Sequence, residues 1–463
     1  MPQEFEIKDA HNYSAYPNGV SAAYTYDNRG GLTALVYTDS SSAVIDTFNY
    51  TLDNVGNRLT KTDREYQYAY TYDPVYRLTQ SLPTQVAQNP AFQQTAESFS
   101  YDAVGNRLTG PAYQKDTSYT QSYAYDYDNR LVSVTRQVSG NPNPDVITFK
   151  YDPFGRRIEK NVSTYENGLP TTYNYVYVYD NEDIILEVLT RTQDGNATTT
   201  TTAYTHGPGI DEPLSITRDG QTYYYHADGL GSVTSMTDTA ESVVNRYAYD
   251  SFGAIKASET VRNAYAFTGR EFDSETGLYY YRARYYDSEA GRFIGKDPIG
   301  FEGGDVNFYG YVKNRVVNSI DPFGLIDMPW SVYNEGHDVT SKKYPGEETH
   351  NSRADAFRHC YTSCRATQEY GSDTASLLGW VNEKKGDWFY DQDQSERDMD
   401  DSNNSYGRQC GRRGADKRSC EESCIQAVNN NKLQSHRTGT GSYSQSIGIT
   451  NDTLESIYGG SGW

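Results

Sequence analysis

One short unit, an aromatic residue two before a tyrosine with an aspartate close behind, returns along much of this chain. It constrains the fold more than any other feature. It occurs as Tyr24-Thr25-Tyr26-Asp27, Phe48-Asn49-Tyr50 with Asp53, Tyr70-Thr71-Tyr72-Asp73 and Phe99-Ser100-Tyr101-Asp102. It returns as Tyr123-Ala124-Tyr125-Asp126, Phe149-Lys150-Tyr151-Asp152 and Tyr247-Ala248-Tyr249-Asp250. From Tyr26 to Tyr50, Tyr72, Tyr101, Tyr125 and Tyr151 the steps are 24, 22, 29, 24 and 26 residues. Aromatic-x-Tyr is period-two alternation, so both rings lie on one face of a strand. Asp followed by Asn, Pro or Gly makes a turn. Arg-Leu then opens a return strand, as in Arg58-Leu59 and Arg107-Leu108. Each unit therefore predicts a β-hairpin, and stacked neighbours build a continuous sheet. The tyrosines are expected to be architecture and not a sugar-binding face.

Composition agrees. The chain has 463 residues, 45 of them Tyr and only 15 Phe, and this aromatic load favours strands and order. No run reaches the roughly 18 apolar residues that span a bilayer. No charged segment followed by an apolar run reads as a signal peptide. A net charge of −21 makes a basic nucleic-acid surface an unfavoured expectation.

These Tyr-Asp units resemble the YD repeats of the RHS (rearrangement hotspot) family. The stretch from Tyr223 to Leu325 resembles that family's associated core domain. It contains Tyr223-Tyr224-Tyr225-His226-Ala227-Asp228-Gly229-Leu230-Gly231-Ser232 and Tyr265-Ala266-Phe267-Thr268-Gly269-Arg270-Glu271. It continues through Gly277-Leu278-Tyr279-Tyr280-Tyr281-Arg282-Ala283-Arg284-Tyr285-Tyr286-Asp287 to Asp297-Pro298-Ile299-Gly300 and Asp321-Pro322-Phe323-Gly324-Leu325. The resemblance implies a mainly β fold, a hairpin sheet wound as a spiral around a hollow interior, enclosing a C-terminal payload. Full shells of the family use more repeats than this chain carries, and no delivery domain precedes them here. The expectation is a partial shell with an open end: repeats over 1–222, core over 223–325, and a separate, mainly α-helical effector domain over 326–463.

The two Asp-Pro-x-Gly motifs place Asp297 and Asp321 24 residues apart. A lone motif of this kind is an ordinary β-turn. As a pair at the end of this core it resembles the family's aspartyl-protease dyad, which cuts its own chain. The cut would fall between Leu325 and Ile326. Two adjacent carboxylates share one proton, so one activates water and the other polarises the scissile carbonyl. Arg292 is a candidate to hold or tune them.

After Leu325 the Tyr-Asp pattern stops, and all five cysteines follow: Cys360, Cys364, Cys410, Cys420 and Cys424. Helices are expected near 353–370, 374–385 and 420–429, while 387–408 is too acidic and polar for a periodic reading. The two Cys-x3-Cys pairs put two sulfurs on one helical face each. They suit two disulfides across a helical hairpin in an oxidising compartment; a zinc site or buried thiols are the alternatives. Ala356 to His359, Glu383, and Met399, Asp400, Asn403, Asn404, Gly407 and Arg408 match a pattern that resembles an uncharacterised domain at the ends of bacterial polymorphic toxins. From the residues, His359 could be a base or a metal ligand, and Glu383, Asp398 and Asp400 could bind a divalent metal or act as acids. Asn404 and Arg408 could stabilise developing negative charge. A helix-borne His is commonly structural, and Asp-rich loops are commonly just solvated.

The leading expectation is a polymorphic antibacterial toxin, secreted or delivered by dedicated machinery, with a hydrolase-type effector and a cognate immunity protein. Acidic charge and paired cysteines point to an envelope target in the periplasm of the target cell. A cytosolic nuclease, or a non-enzymatic surface and adhesion protein with YD repeats, are the alternatives.

Overall fold

The computed structural model describes residues 6–8, 13–28, 31–110, 118–207, 210–325, 328–329, 356–365, 367–368, 394–412 and 417–429. Among them the chain up to Pro329 is an antiparallel meander in which each strand pairs with its sequence neighbour. A nine-stranded sheet runs from Glu6–Lys8 to Glu97–Ser98, and a twelve-stranded sheet from Tyr119–Tyr125 to Ile255–Glu259. A four-stranded sheet, Glu271–Asp273 to Arg292–Phe293, carries the residues that approach the junction. The strand Gln221–Ala227 crosses the 222/223 line, so repeats and core share one sheet there.

The hairpins follow one wiring rule. The turn aspartate accepts the backbone N–H two and four residues on: Val55 at 2.9 Å and Asn57 at 2.8 Å for Asp53, and Val104 at 3.0 Å and Asn106 at 2.8 Å for Asp102. Asp73, Asp126, Asp152, Asp228 and Asp250 repeat this. The tyrosine then ties one unit to the preceding one. Its hydroxyl donates to the carbonyl five residues past the previous turn aspartate: Tyr72 to Arg58 at 2.5 Å, Tyr101 to Leu78 at 2.6 Å, Tyr151 to Leu131 at 2.6 Å, Tyr179 to Arg157 at 2.9 Å and Tyr249 to Val233 at 2.6 Å. Where arginine follows the aspartate by four, it binds that carboxylate and lies over the next unit's ring. Arg77 pairs with Asp73 at 2.6 Å and sits 5.0 Å from the Tyr101 ring; Arg130 and Arg156 do the same with Tyr151 and Tyr179. Phenylalanine fills the same space but cannot make the hydroxyl bond.

Distant parts of the chain close on one another. Lys61 pairs with Asp228 at 2.7 Å, and Tyr50 accepts the Gly229 N–H at 2.8 Å. Arg58 donates to the Val317 carbonyl at 2.7 Å. Buried Arg157 binds Glu271 at 2.7 Å and Asp273 at 2.5 Å, with Lys160 on Asp273 at 2.9 Å. This cluster clamps the four-stranded sheet to the long one. Beneath it Tyr279, Tyr281, Tyr286, Phe293 and Tyr311 are wholly buried.

Beyond residue 355 the described structure is helical. Residues 356–365 lie inside the expected 353–370 helix, and Lys417–Asn429 contains the expected third one. The 374–385 expectation lies outside the described residues. The helix Gln394–Arg412 was not expected. Its buried face is Asn403, Asn404, Gly407, Cys410 and Gly411, none of which registers as apolar periodicity. A side chain at Gly407 would run into the Cys360 carbonyl, and one at Gly411 into that of Cys364, so the two helices touch backbone to backbone. Among the described residues no helix is long and apolar enough to cross a membrane.

The hydroxyl wiring is measurable. Tyr101→Phe leaves the buried Leu78 carbonyl without its phenol donor. It should cost about 1–3 kcal/mol, read as a lower thermal midpoint. An unchanged midpoint contradicts the rule.

Candidate functional site

The turn rule reappears at the junction. Asp321 accepts the N–H four residues on, that of Leu325, at 2.9 Å, and its carbonyl accepts the Gly324 N–H at 3.2 Å. The Leu325 peptide is thus held by a repeat-type turn. Gly324 has φ +64°, and a side chain there would meet the Tyr281 carbonyl, so glycine is needed on both counts. Asp297 makes the related turn, accepting the Ile299 N–H at 3.0 Å. The segment is pinned to the Tyr281–Arg284 turn: Ala283 N–H donates to the Phe323 carbonyl at 3.2 Å and Arg282 to that of Pro322 at 2.5 Å.

Asp297 and Asp321 do come together, around a residue the sequence reading passed over. Arg284 Nη2 lies 3.1 Å from Asp297 Oδ2 and 3.3 Å from Asp321 Oδ2. Its Nε donates to the Gly324 carbonyl, its Nη1 to the Phe308 carbonyl at 3.1 Å, and its guanidinium rests 3.7 Å above the Phe293 ring. Arg292, the expected holder, is exposed and lies 5.0 Å from the Tyr309 ring. Strand alternation explains the correction. Arg292 precedes buried Phe293 and so points outward, whereas Arg284 opens a buried strand. Both aspartates therefore contact one cation. Burial pushes the Asp297 carboxyl up to about 6, against the opposing pull of Arg284. Burial also lowers the Arg284 pKa, opposed by the two aspartates. Ile326, the far side of the expected cut, lies outside the described residues.

In the C-terminal helices Cys360 bonds Cys424 and Cys364 bonds Cys420. The crossed order makes the two helices antiparallel and removes the four-sulfur zinc alternative. Cys410 is buried in the same core and is not disulfide-bonded. His359 Nδ1 lies 3.3 Å from Asn404 Oδ1, and the Ser363 hydroxyl donates to the same oxygen at 2.9 Å. All three are buried. Asn404 therefore faces His359 with its carbonyl oxygen, which suits orienting the ring. Ser363 was missed; it stands one helical turn from His359, a spacing the sequence does display. Arg408 is half-buried one turn beyond Asn404. Asp398 and Asp400 fall on the Gln394–Arg412 helix, but their side chains lie outside the described residues, as does Glu383 altogether.

Comparison with known proteins follows the same division. The Teneurin YD-shell family matches residues 7–316, and the family described as "Domain of unknown function (DUF6973)" matches residues 326–437. The tRNA3(Ser)-specific nuclease WapA of Bacillus spizizenii is 34% identical over 315 residues, 66% of this chain and 12% of that protein. Double-stranded DNA deaminase toxin A of Burkholderia cenocepacia is 27% identical over 336 residues, 65% of this chain and 22% of that protein. A solved TcdB2-TccC3-TEV structure superposes with a TM-score of 0.57 at 19% identity, over 68% of this chain and 19% of that one, which shows the fold. This chain thus spans a small part of each. Relatives named for tRNA and DNA run against the expectation, drawn from net charge, that nucleic acid is an unfavoured partner. The chain belongs to the Teneurin YD-shell family, the RHS/YD-repeat proteins, and carries a domain of unknown function behind its shell.

Proposed function

We propose that this chain is a polymorphic antibacterial toxin whose junction cuts itself after Leu325 and frees residues 326–463 as the effector. The observation that carries this reading is the junction: two buried aspartates on one guanidinium nitrogen, with the Leu325 peptide anchored to one of them. Asp321, as carboxylate, takes a proton from a water that adds to the Leu325 carbonyl carbon. Asp297, whose carboxyl burial raises to about 6, gives its proton to the carbonyl oxygen when protonated. Collapse returns a hydroxyl proton to Asp297, restores the carbonyl, breaks the bond to Ile326 and moves the proton on Asp321 to the leaving amine. Arg284 fixes both carboxylates and keeps the scissile segment in place through Gly324.

The effector is proposed as a hydrolase with His359 as base. With Asn404 Oδ1 accepting a hydrogen bond from the ring Nδ1–H, Nε2 carries the lone pair. Glu383, Asp398 and Asp400 stay candidates for acid or divalent-metal roles. Two disulfides beside this pair favour action in an oxidising compartment, hence an envelope target. A nuclease is the second reading, favoured by the relatives' names. A cognate immunity protein and a delivery system accompany either reading.

Asp297→Asn and Asp321→Asn should each leave one uncut chain of 52.2 kDa, where the wild type gives two pieces on a denaturing gel. The sign of the pH effect follows from the raised Asp297 pKa. Its proton is present below about 6 and lost above it, so self-cleavage should slow as pH rises through that value. A rate that increases through pH 6 contradicts Asp297 as the acid. Residues 326–463 expressed with a periplasmic signal should be toxic, and His359→Ala should abolish that toxicity. Toxicity confined to the cytoplasmic form favours the nuclease; toxicity indifferent to His359 rejects the proposed base.

A further inference from the structure

Gly303 lies buried in the short 3-10 turn Gly300–Gly303, which follows the first Asp-Pro-x-Gly motif. No reading of the repeats or of the junction motif gives it a role. A Cβ placed on it would stand 2.9 Å from Asp297 Oδ2 and 2.9 Å from the Leu325 carbonyl oxygen. Those are the two atoms between which the proposed acid must pass its proton. The same point is 3.5 Å from Asp297 Cγ, and the Leu325 carbonyl carbon is not among its three nearest atoms. The space therefore opens on the oxygen of the scissile group, where a proton arrives.

We infer that Gly303 is a positioning residue for self-cleavage: its bare Cα keeps clear the space that joins Asp297 to the Leu325 carbonyl oxygen. The inference rests on the self-cleavage reading and deepens it. A methyl group at 303 would sit closer to both oxygens than a carbon–oxygen contact tolerates. One of those oxygens belongs to Leu325, whose preceding peptide is held on both sides, by Asp321 through the Leu325 N–H and by Arg284 through the Gly324 carbonyl. The carboxylate and the carbonyl must then part. The Gly303 backbone itself does not resist the change, because its φ is not among the left-handed values found at Gly300 and Gly304. Gly295 supplies the matched control: it also lies outside that region, and a Cβ there meets nothing within 4 Å.

The test is a time course of cell-free synthesis of the full chain, following the uncut band. Wild type and Gly295→Ala should be cut at the same rate. Gly303→Ala should be cut about tenfold more slowly or worse, the scale on which sub-ångström misplacement of reacting groups acts. Its residual cleavage should lose the decline through pH 6 that marks proton delivery by Asp297. It should keep a cooperative melting transition no lower than that of uncut Asp297→Asn, which separates a blocked reaction from a broken fold. Wild-type cleavage of Gly303→Ala overturns the inference, as does slow cleavage that keeps the wild-type pH profile or comes with collapsed melting. A wild-type chain that is never cut overturns instead the self-cleavage reading beneath it.

Discussion

An aspartate carboxylate that accepts the N–H groups two and four residues ahead closes the hairpins of this protein, and the rest of the structure depends on it. The bond fixes a five-residue turn, the turn fixes the strand register, and the register sets the fifth-residue carbonyl of a unit within reach of a following tyrosine hydroxyl, as at Tyr72, Tyr101, Tyr151, Tyr179 and Tyr249. Each such bond contributes only about 0.5–1.5 kcal/mol. Repetition makes them collective, since each unit is stabilised mainly by its neighbours. The junction is built from the same part. Asp321 is a turn aspartate whose i+4 partner is the residue before the proposed cut. Reactivity there needs little new architecture: the turn already holds a carboxylate against a peptide.

What distinguishes Asp321 from turn aspartates such as Asp53 and Asp102 is its surroundings. The turns at Asp53 and Asp102 are largely open to water, whereas Asp321 and Asp297 are buried with Arg284. Arg284 is itself trapped between the Phe293 ring and four oxygen partners, two carbonyls and two carboxylates. Breaking a buried cluster of this kind by removing one partner costs several kcal/mol, about 3–5 for a typical pair. The aromatic floor of Tyr281, Tyr286, Phe293 and Tyr311, and the clamp through Arg157, keep the four-stranded sheet from yielding. The sheet is thus a rigid support for the junction.

The hairpins were legible in the sequence because period two and turn chemistry are local signals. The purpose of the tyrosine hydroxyl was not, since its acceptor belongs to another unit. Asp297 and Asp321 were legible as a repeated motif, but their cation was not. Arg292 lies close to Asp297 in sequence, yet strand alternation turns it to solvent, and Arg284 reaches both aspartates through tertiary contacts alone. The cysteine spacing did predict stapled helices. The Gln394–Arg412 helix escaped notice because it packs through glycine, asparagine and cysteine, held by disulfide-linked neighbours and close backbone approach. His359 was found by its motif and Ser363 was not, although one asparagine oxygen joins them.

The central claim is that the repeat's own turn has become a self-cleaving junction. It is tested most directly by N-terminal sequencing of the purified wild-type protein alongside its intact mass. The account predicts two termini, that of the chain and a new one beginning Ile326-Asp327-Met328. A single terminus with the mass of the uncut 52.2 kDa chain, or a new terminus elsewhere, contradicts it.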